Sequence, residues 1–283
     1  MDPVTGAWVV LHRVGPDRAG PLDSIQSDTR GRYSFNYVRS GSEDAVYFVS
    51  ASHDGIAYFT APLNAAVVSG EDGEITVFDT TSGHVPVSLR GHHVVVSAAD
   101  ANGDRSIVEV YDLSNDSSVT RVAVGDDPTK ATWQVHIPAG AGSFKVDQGD
   151  ISPAAVKYDK GVVSVFAPLA PGIKQLAFSY SLPAKLFPLK LPIEKETGVY
   201  EIMIEEKTGG VTGPHIKEVE PVNVGERNFR RFLASDMPEN SVAMIDLPAP
   251  PRTHTIDPRY LVALTLVIGG SMILALAQAL RRR

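Results

Sequence analysis

The chain has 283 residues and a mass of 30.3 kDa, enough for about two domains at the usual ~100–200 residues each. Its 43% hydrophobic content excludes a disordered chain, and the absence of cysteine excludes disulfide frameworks, thiolate metal sites and cysteine nucleophiles. Residues 1–250 hold 21 of the 26 basic and 32 of the 33 acidic residues, a net −11, and a body this acidic lacks the electrostatic footprint of a nucleic-acid binder.

Period-2 or β-branched runs predict strands at 7–14, 33–37, 46–51, 56–60 and 74–78. Further runs follow at 85–89, 92–98, 107–113, 119–124, 132–137, 154–158, 162–166, 175–181 and 198–204. Turn signals such as Asp72-Gly73, Ser82-Gly83, Asn102-Gly103 and Pro171-Gly172 separate them. No stretch of the body carries sustained helical periodicity, and no short-period repeat is visible, so a propeller or solenoid is not expected. The expected fold class is all-β: two immunoglobulin- or transthyretin-like β-sandwiches, at 1–80 and 81–247, followed by one C-terminal transmembrane helix.

The N-terminal region carries a motif. Gly6-Ala7-Trp8-Val9-Val10-Leu11, then Ser27-Asp28-Thr29-Arg30-Gly31-Arg32-Tyr33-Ser34-Phe35, resembles the carboxypeptidase regulatory-like domain over residues 4–80. That resemblance implies a transthyretin-like seven-stranded sandwich with a binding or structural role and no catalysis. The local chemistry agrees: Asp28 is placed to cap its own turn, Gly31 supplies a permissive backbone, and Tyr33, Phe35 and Tyr37 fall on one face of a strand. The family places a further strand before this motif, where only five residues precede Gly6. The first residues show no signal peptide, so either the body is cytoplasmic and tail-anchored or the start lies upstream, and the missing strand points to the upstream start. The region 81–247 carries no nameable motif. Within it, residues 182–192 (LPAKLFPLKLP) should form an extended connection or a sheet edge, because three prolines cannot donate to a ladder.

Residues 248–260 contain Pro248, Pro250, Pro251 and Pro258 and read as a stiff juxtamembrane stalk. Then Leu261 to Leu280, LVALTLVIGGSMILALAQAL, runs 20 residues without a charge, about 30 Å as a helix and long enough to cross a hydrocarbon core. Tyr260 marks one interface, and Arg281, Arg282 and Arg283 form a basic tail at the other. Ser271, Ala275 and Ala279 recur every fourth residue beside Gly269 and Gly270, and a stripe of small residues lets another membrane helix approach closely. Gly270, Ser271, Ala275 and Ala279 are the expected helix interface. The span holds no His, Asp, Glu, Lys or Arg, so it offers neither an axial ligand for a pigment nor a proton relay. The arginine triplet predicts a cytoplasmic C-terminus, with the body periplasmic on a bacterial inner membrane.

Candidate chemistry in the body is thin. Asp100-Ala-Asn102-Gly103-Asp104 has the start of a calcium loop, but Arg105 and Tyr111 stand where the glycine and the closing acid belong, so a hairpin turn is expected. His215 and Glu218 have the H-x-x-E spacing of zinc carboxypeptidases without a third ligand in context. His92-His93 lies in a predicted strand, where neighbours point to opposite faces and cannot share one metal. Asn115-Asp116-Ser117 fits a glycosylation sequon and reads as a turn. No catalytic elbow, P-loop or dinucleotide fingerprint is present, and no cofactor or catalytic residue is expected. The expected role is a non-catalytic accessory subunit whose partners are integral membrane subunits and the lipid bilayer. The layout of sandwiches, stalk and single helix resembles a peripheral subunit of a bacterial photosynthetic reaction centre–antenna assembly. The other expectation is an anchored module that binds a carbohydrate or envelope ligand through its acidic, Tyr-bearing strands.

Overall fold

A computed structural model describes residues 2–65 and 67–248. Its first part is an antiparallel four-stranded sheet of β1 (Trp8–Val14), β2 (Ala19–Gln26), β3 (Val46–His53) and β4 (Ile56–Phe59), in the order β2-β1-β3-β4. The remaining strands are β5 (Thr80–Thr81), β6 (Ser88–Val96), β7 (Asp104–Asn115), β8 (Thr120–Arg121), β9 (Trp133–His136), β10 (Gly142–Val146) and β11 (Val156–Asp159). They continue with β12 (Val162–Val165), β13 (Gly172–Pro183), β14 (Leu189–Ile193), β15 (Thr197–Ile204), β16 (Gly210–Thr212), β17 (Lys217–Val224), β18 (Arg227–Met237) and β19 (Ser241–Asp246). A seven-stranded sheet, β10-β13-β7-β6-β15-β18-β17, forms the spine, antiparallel except where β6 and β15 run side by side in parallel. Two three-stranded sheets, β11-β12-β9 and β14-β19-β16, complete the architecture together with the short parallel pair β5-β8.

The chain is therefore predominantly β, as the periodicity predicts, and the helical pieces among the described residues are short 3₁₀ turns. None of them is long and apolar enough to cross a membrane. The predicted stalk beyond Pro248, the span 261–280 and the tail 281–283 lie outside the described residues.

Two apolar cores form. The larger lies where the spine meets the three-stranded sheets: Val94, Tyr111, Phe178, Tyr200 and Ile202 from the spine cluster with Trp133, Val163, Val165, Leu191 and Ile245. Each fully buried aliphatic side chain here contributes roughly 1.5–3 kcal/mol relative to exposure. The smaller core holds Val9, Leu11, Tyr47 and Val49 from one face of the four-stranded sheet.

Several strand boundaries differ from expectation, each for a physical reason. Residues 33–37 and 74–78 form no ladder. They nevertheless lie against the smaller core, with Tyr33, Phe35, Tyr37, Ile75 and Val77 half-buried on it. Sequence alternation reports which side chains turn inward, and that holds without a hydrogen-bonded neighbour. β2 was not expected, because Gly20 and Pro21 break its pattern. It is an edge strand with a bulge opposite Leu11 and His12, where proline is tolerated. Residues 182–192 finish β13, pass through a 3₁₀ turn and become β14, which is an edge of its sheet as expected.

Arg105, at the start of β7, has no exposed surface. Its guanidinium donates to the carbonyls of Ser97 and Pro248, pairs with Glu206 at 2.8 Å and lies over the Phe187 ring. The buried charge thus ties the end of the described chain to its central sheet.

Candidate functional site

Register places a polar cluster inside the larger core. Opposite Tyr111 on β7 stands His92 on β6, and opposite His92 stands Tyr200 on β15. Glu109, two residues along β7 from Tyr111, shares that inward face and is 3% exposed. His92 Nε2 lies 2.7 Å from Glu109 Oε2, while Tyr111 and Tyr180 each donate a hydroxyl to the carboxylate at 2.6 Å. The imidazole stacks on Tyr111 with ring centroids 4.0 Å apart, and Tyr200 meets it edge-on at 5.0 Å.

Burial by itself would raise the Glu109 carboxyl, but the hydrogen bond and charge of His92, with the two phenols, outweigh it and hold the group below the usual carboxylate range. Burial, and then the Glu109 charge, pushes the Tyr111 and Tyr180 hydroxyls well above their usual value, so both remain donors. An ionised carboxylate accepts only; the Glu109 bond therefore places a proton on His92 Nε2.

This cluster floors a cleft. Leu89, Trp133, Leu191 and Ile193 form its apolar walls, and Gln134, His136, Glu194 and Lys195 surround it. His136 and Glu194 pair at 2.7 Å at an exposed position. Trp133 Nε1 and Tyr200 Oη are buried without a hydrogen-bond partner among the described residues. Such an orphan donor costs about 1–3 kcal/mol unless something else meets it.

The opposite face of the same sheet carries a second network. His93 Nδ1 lies 2.8 Å from Glu201 Oε2, Glu201 Oε1 accepts from Arg231, and His93 Nε2 is 3.6 Å from Asp112. His92 and His93 therefore serve two faces and two carboxylates, as expected of strand neighbours. A third group, His53, Asp54 and Asp79, brings three possible ligand atoms within 4.8 Å of one another on the surface. Its histidine is already bonded to Asp79 at 2.9 Å, and Asp54 accepts from the Thr80 amide, so the group joins the β3–β4 hairpin to the approach to β5.

The other sequence candidates resolve into structure. Asp100 accepts from the Asn102 and Asp104 amides and Gly103 has φ 80°, which makes 100–104 the expected β6–β7 turn. Glu218 is engaged by Arg230 across β17 and β18, and His215 lies 3.4 Å from the Ser235 carbonyl, so the H-x-x-E spacing brings no ligand pair together. Asn115 is 2% exposed, donates to the carbonyls of Val119 and Leu169 and accepts from Ser117, so the sequon is an interior Asx turn. The predicted membrane-helix residues Gly270, Ser271, Ala275 and Ala279, and their flanks Tyr260 and Arg281–Arg283, lie outside the described residues.

Sequence reasoning missed Glu109, Tyr111, Tyr180, Tyr200 and Trp133, and weighed His92 only as a metal ligand. The available signal was an acid and a tyrosine two apart in one strand, Glu109 and Tyr111, beside a histidine in another.

The fold and these clusters define a β-sheet protein whose most polar interior site is closed by its own donors. No family model matches the chain, and no curated protein matches it. A structure of native leukotriene A4 hydrolase from Saccharomyces cerevisiae is similar at 10% identity and TM-score 0.34, over 59% of this chain and 30% of that one. A second structure of the native yeast enzyme gives 12% identity and TM-score 0.32 over the same shares. The chain spans about 30% of the length of those structures, and a likeness of this degree carries no argument about activity.

Proposed function

We propose that this chain is a non-catalytic accessory subunit, anchored by the helix at 261–280, that stabilises a larger membrane protein complex. The body is periplasmic in this reading, and a photosynthetic reaction centre–antenna assembly is the candidate complex. One observation supports it above the others: among the described residues, the outward face of the four-stranded sheet carries exposed apolar side chains around the His12–Ser50 pair. Trp8 and Val14 of β1, Val46 of β3 and Phe59 of β4 are 56%, 44%, 41% and 59% exposed. Phe48, paired opposite His12, stacks on it at 5.0 Å and meets Phe59 edge-on at 5.8 Å. Exposed large apolar side chains gathered on one sheet face are characteristic of protein contacts.

Mild detergent extraction of native membranes tests the reading. The expected result is a subunit that co-purifies with integral membrane proteins and loses that association in the double variant Phe48→Ser and Phe59→Ser. A chain that purifies as a monomer free of membrane partners overturns it, and glycan binding by that monomer would favour the anchored binding module instead.

A further inference from the structure

We propose that His93 and Asp112 form an open binding site for a divalent ion of the zinc class, seated over Gly91 on the face of the spine opposite the larger core. Register builds it. Gly91 on β6 lies opposite Asp112 on β7, and His93, two residues on, lies opposite Glu201 on β15, so all four positions share one face. The pairing slips between Leu89 and Gly91, and Gly91 adds no side chain, which leaves room for Asp112 Oδ2 to stand 3.6 Å from His93 Nε2. Glu201 decides which ring nitrogen carries the proton. Arg231 reaches Glu201 Oε1 through Nε at 2.7 Å and Nη2 at 2.6 Å, enough to keep that carboxylate ionised whatever the charge on His93. An ionised carboxylate only accepts, so His93 Nδ1 donates to Glu201 Oε2 at 2.8 Å. In the neutral ring Nε2 is then a lone pair, facing a second acceptor across a gap too wide for a hydrogen bond.

Two acceptors so placed are matched by a cation between them. Ligand atoms about 2.1 Å from a tetrahedral zinc-class ion stand roughly 3.4 Å apart, close to the gap observed. One imidazole and one carboxylate suit zinc or its neighbours, whereas calcium and magnesium take oxygen shells. The supports are those of a metal site: a bound histidine ordinarily gives its other N–H to a carboxylate, as His93 does to Glu201, and Gln175 donates to the far oxygen of Asp112 at 3.2 Å. Side-chain exposures of 28% for His93 and 26% for Asp112 leave the gap within reach of an ion from solvent, with water to complete its shell. The surface trio His53, Asp54 and Asp79 is the rival, but its histidine nitrogen is already met by Asp79 at 2.9 Å. A Cβ on Gly91 would lie 2.6 Å from Asp112 Oδ2 and 3.0 Å from His93 Nε2, inside the gap. Gly91 is not among the glycines of positive φ, so alanine there would displace the two side-chain ends and leave the strand in place.

The test uses the full chain in detergent micelles, labelled with 15N at histidine, at about pH 8, above the ordinary imidazole range. His93→Gln identifies the ring signals that belong to His93. Before metal, one protonated and one bare ring nitrogen are expected. Zn2+ should then move the bare nitrogen saturably, while Mg2+ at the same concentration should not. Asp112→Asn and Gly91→Ala should each weaken Zn2+ at this ring roughly tenfold or more, with the other histidine signals in place to show that the fold is kept. Two protonated nitrogens on His93 would make it a cationic bridge between Glu201 and Asp112 and overturn the site. Zinc that leaves the His93 signals still, whatever it does at His53, or undiminished binding to either variant also overturns it. The result is independent of the accessory-subunit reading, because a chain that purifies without membrane partners would give the same titration.

Discussion

His92 and His93 are consecutive in β6, yet each is bonded to a different carboxylate on a different face of the same sheet: Glu109 on the face of the larger core at 2.7 Å and Glu201 on the opposite face at 2.8 Å. The chemistry is the same and the surroundings are not, so the two pairs should respond differently to mutation. Glu109→Leu nearly preserves volume but strands His92 and the Tyr111 and Tyr180 hydroxyls in the core. Breaking a buried pair in this way should cost about 3–5 kcal/mol. His93→Ala leaves the buried Glu201 still paired with Arg231, so no charge is stranded, and the loss should be smaller, about 1 kcal/mol. Urea unfolding followed by tryptophan fluorescence measures both, and similar costs for the two variants would contradict this account.

Acid should act through the inner pair. Glu109 titrates below its ordinary 4.5 in the folded chain, so the folded state favours the ionised form. The resulting stability is complete above about pH 4.5 and is lost as pH falls through the lower folded value. Glu201 adds in the same direction: burial opposes the shift, but the bonds from His93 and Arg231 lower it. At the alkaline end the raised Tyr111 and Tyr180 hydroxyls contribute fully below pH 10, and their share declines as pH rises beyond it. Urea midpoints measured across pH should therefore fall at both ends, and Glu109→Leu should flatten the acid limb.

Asn115→Ala removes two donors from the Val119 and Leu169 carbonyls and an acceptor from Ser117. The expected loss is about 1–3 kcal/mol, seen as a lowered urea midpoint. Because the amide is enclosed, the folded parent should show no glycan mass at this position when made in a glycosylating host. A modified, fully folded parent would contradict the burial.

Gly209 enters β16 at φ 88°, and a Cβ there would meet the Asp246 carbonyl at 2.3 Å. Both the left-handed backbone and the close approach to β19 require glycine. Gly209→Ala should lower stability by more than about 1 kcal/mol, whereas Gly225→Ala, at φ 61° with nothing within 4 Å, should pay for backbone strain alone. Thermal unfolding of the two variants separates the terms.

On the proposed reading of 261–280 as a membrane anchor, Ala275→Leu should keep the chain in the membrane and loosen its hold on the complex, while Leu264→Ala should do neither. The measurement is the fraction of subunit retained after mild detergent extraction. Equal retention of Ala275→Leu and the parent would assign docking to the sheets and leave the helix as a tether.

What the sequence makes legible is inward direction more than pairing. Tyr33, Phe35 and Tyr37 alternate and do face a core, although they join no ladder. The β7 run I-V-E-V-Y-D-L hides its polar cluster because both faces look apolar: Ile107, Tyr111 and Leu113 on one side, Val108 and Val110 on the other. The spacing of Glu109 and Tyr111 puts them on one face but does not say that this face is the inner one. The decision comes from His92, 17 residues earlier, and Tyr180, 71 later, which only the register of β6, β7 and β13 brings together. β18 escaped notice for a related reason. In it Arg230 and Arg231 reach Glu218 and Glu201 while Phe229 and Phe232 turn inward.

The Arg105 contact with the Pro248 carbonyl also has a mechanical meaning. Tension applied to the chain beyond residue 248 would first reach a guanidinium rooted in β7, one of the longest strands, before it could peel β19 from β14 and β16. Pulling at that end should therefore produce one abrupt rupture at high force instead of gradual unzipping, and Arg105→Met should convert the first into the second in a single-molecule extension trace.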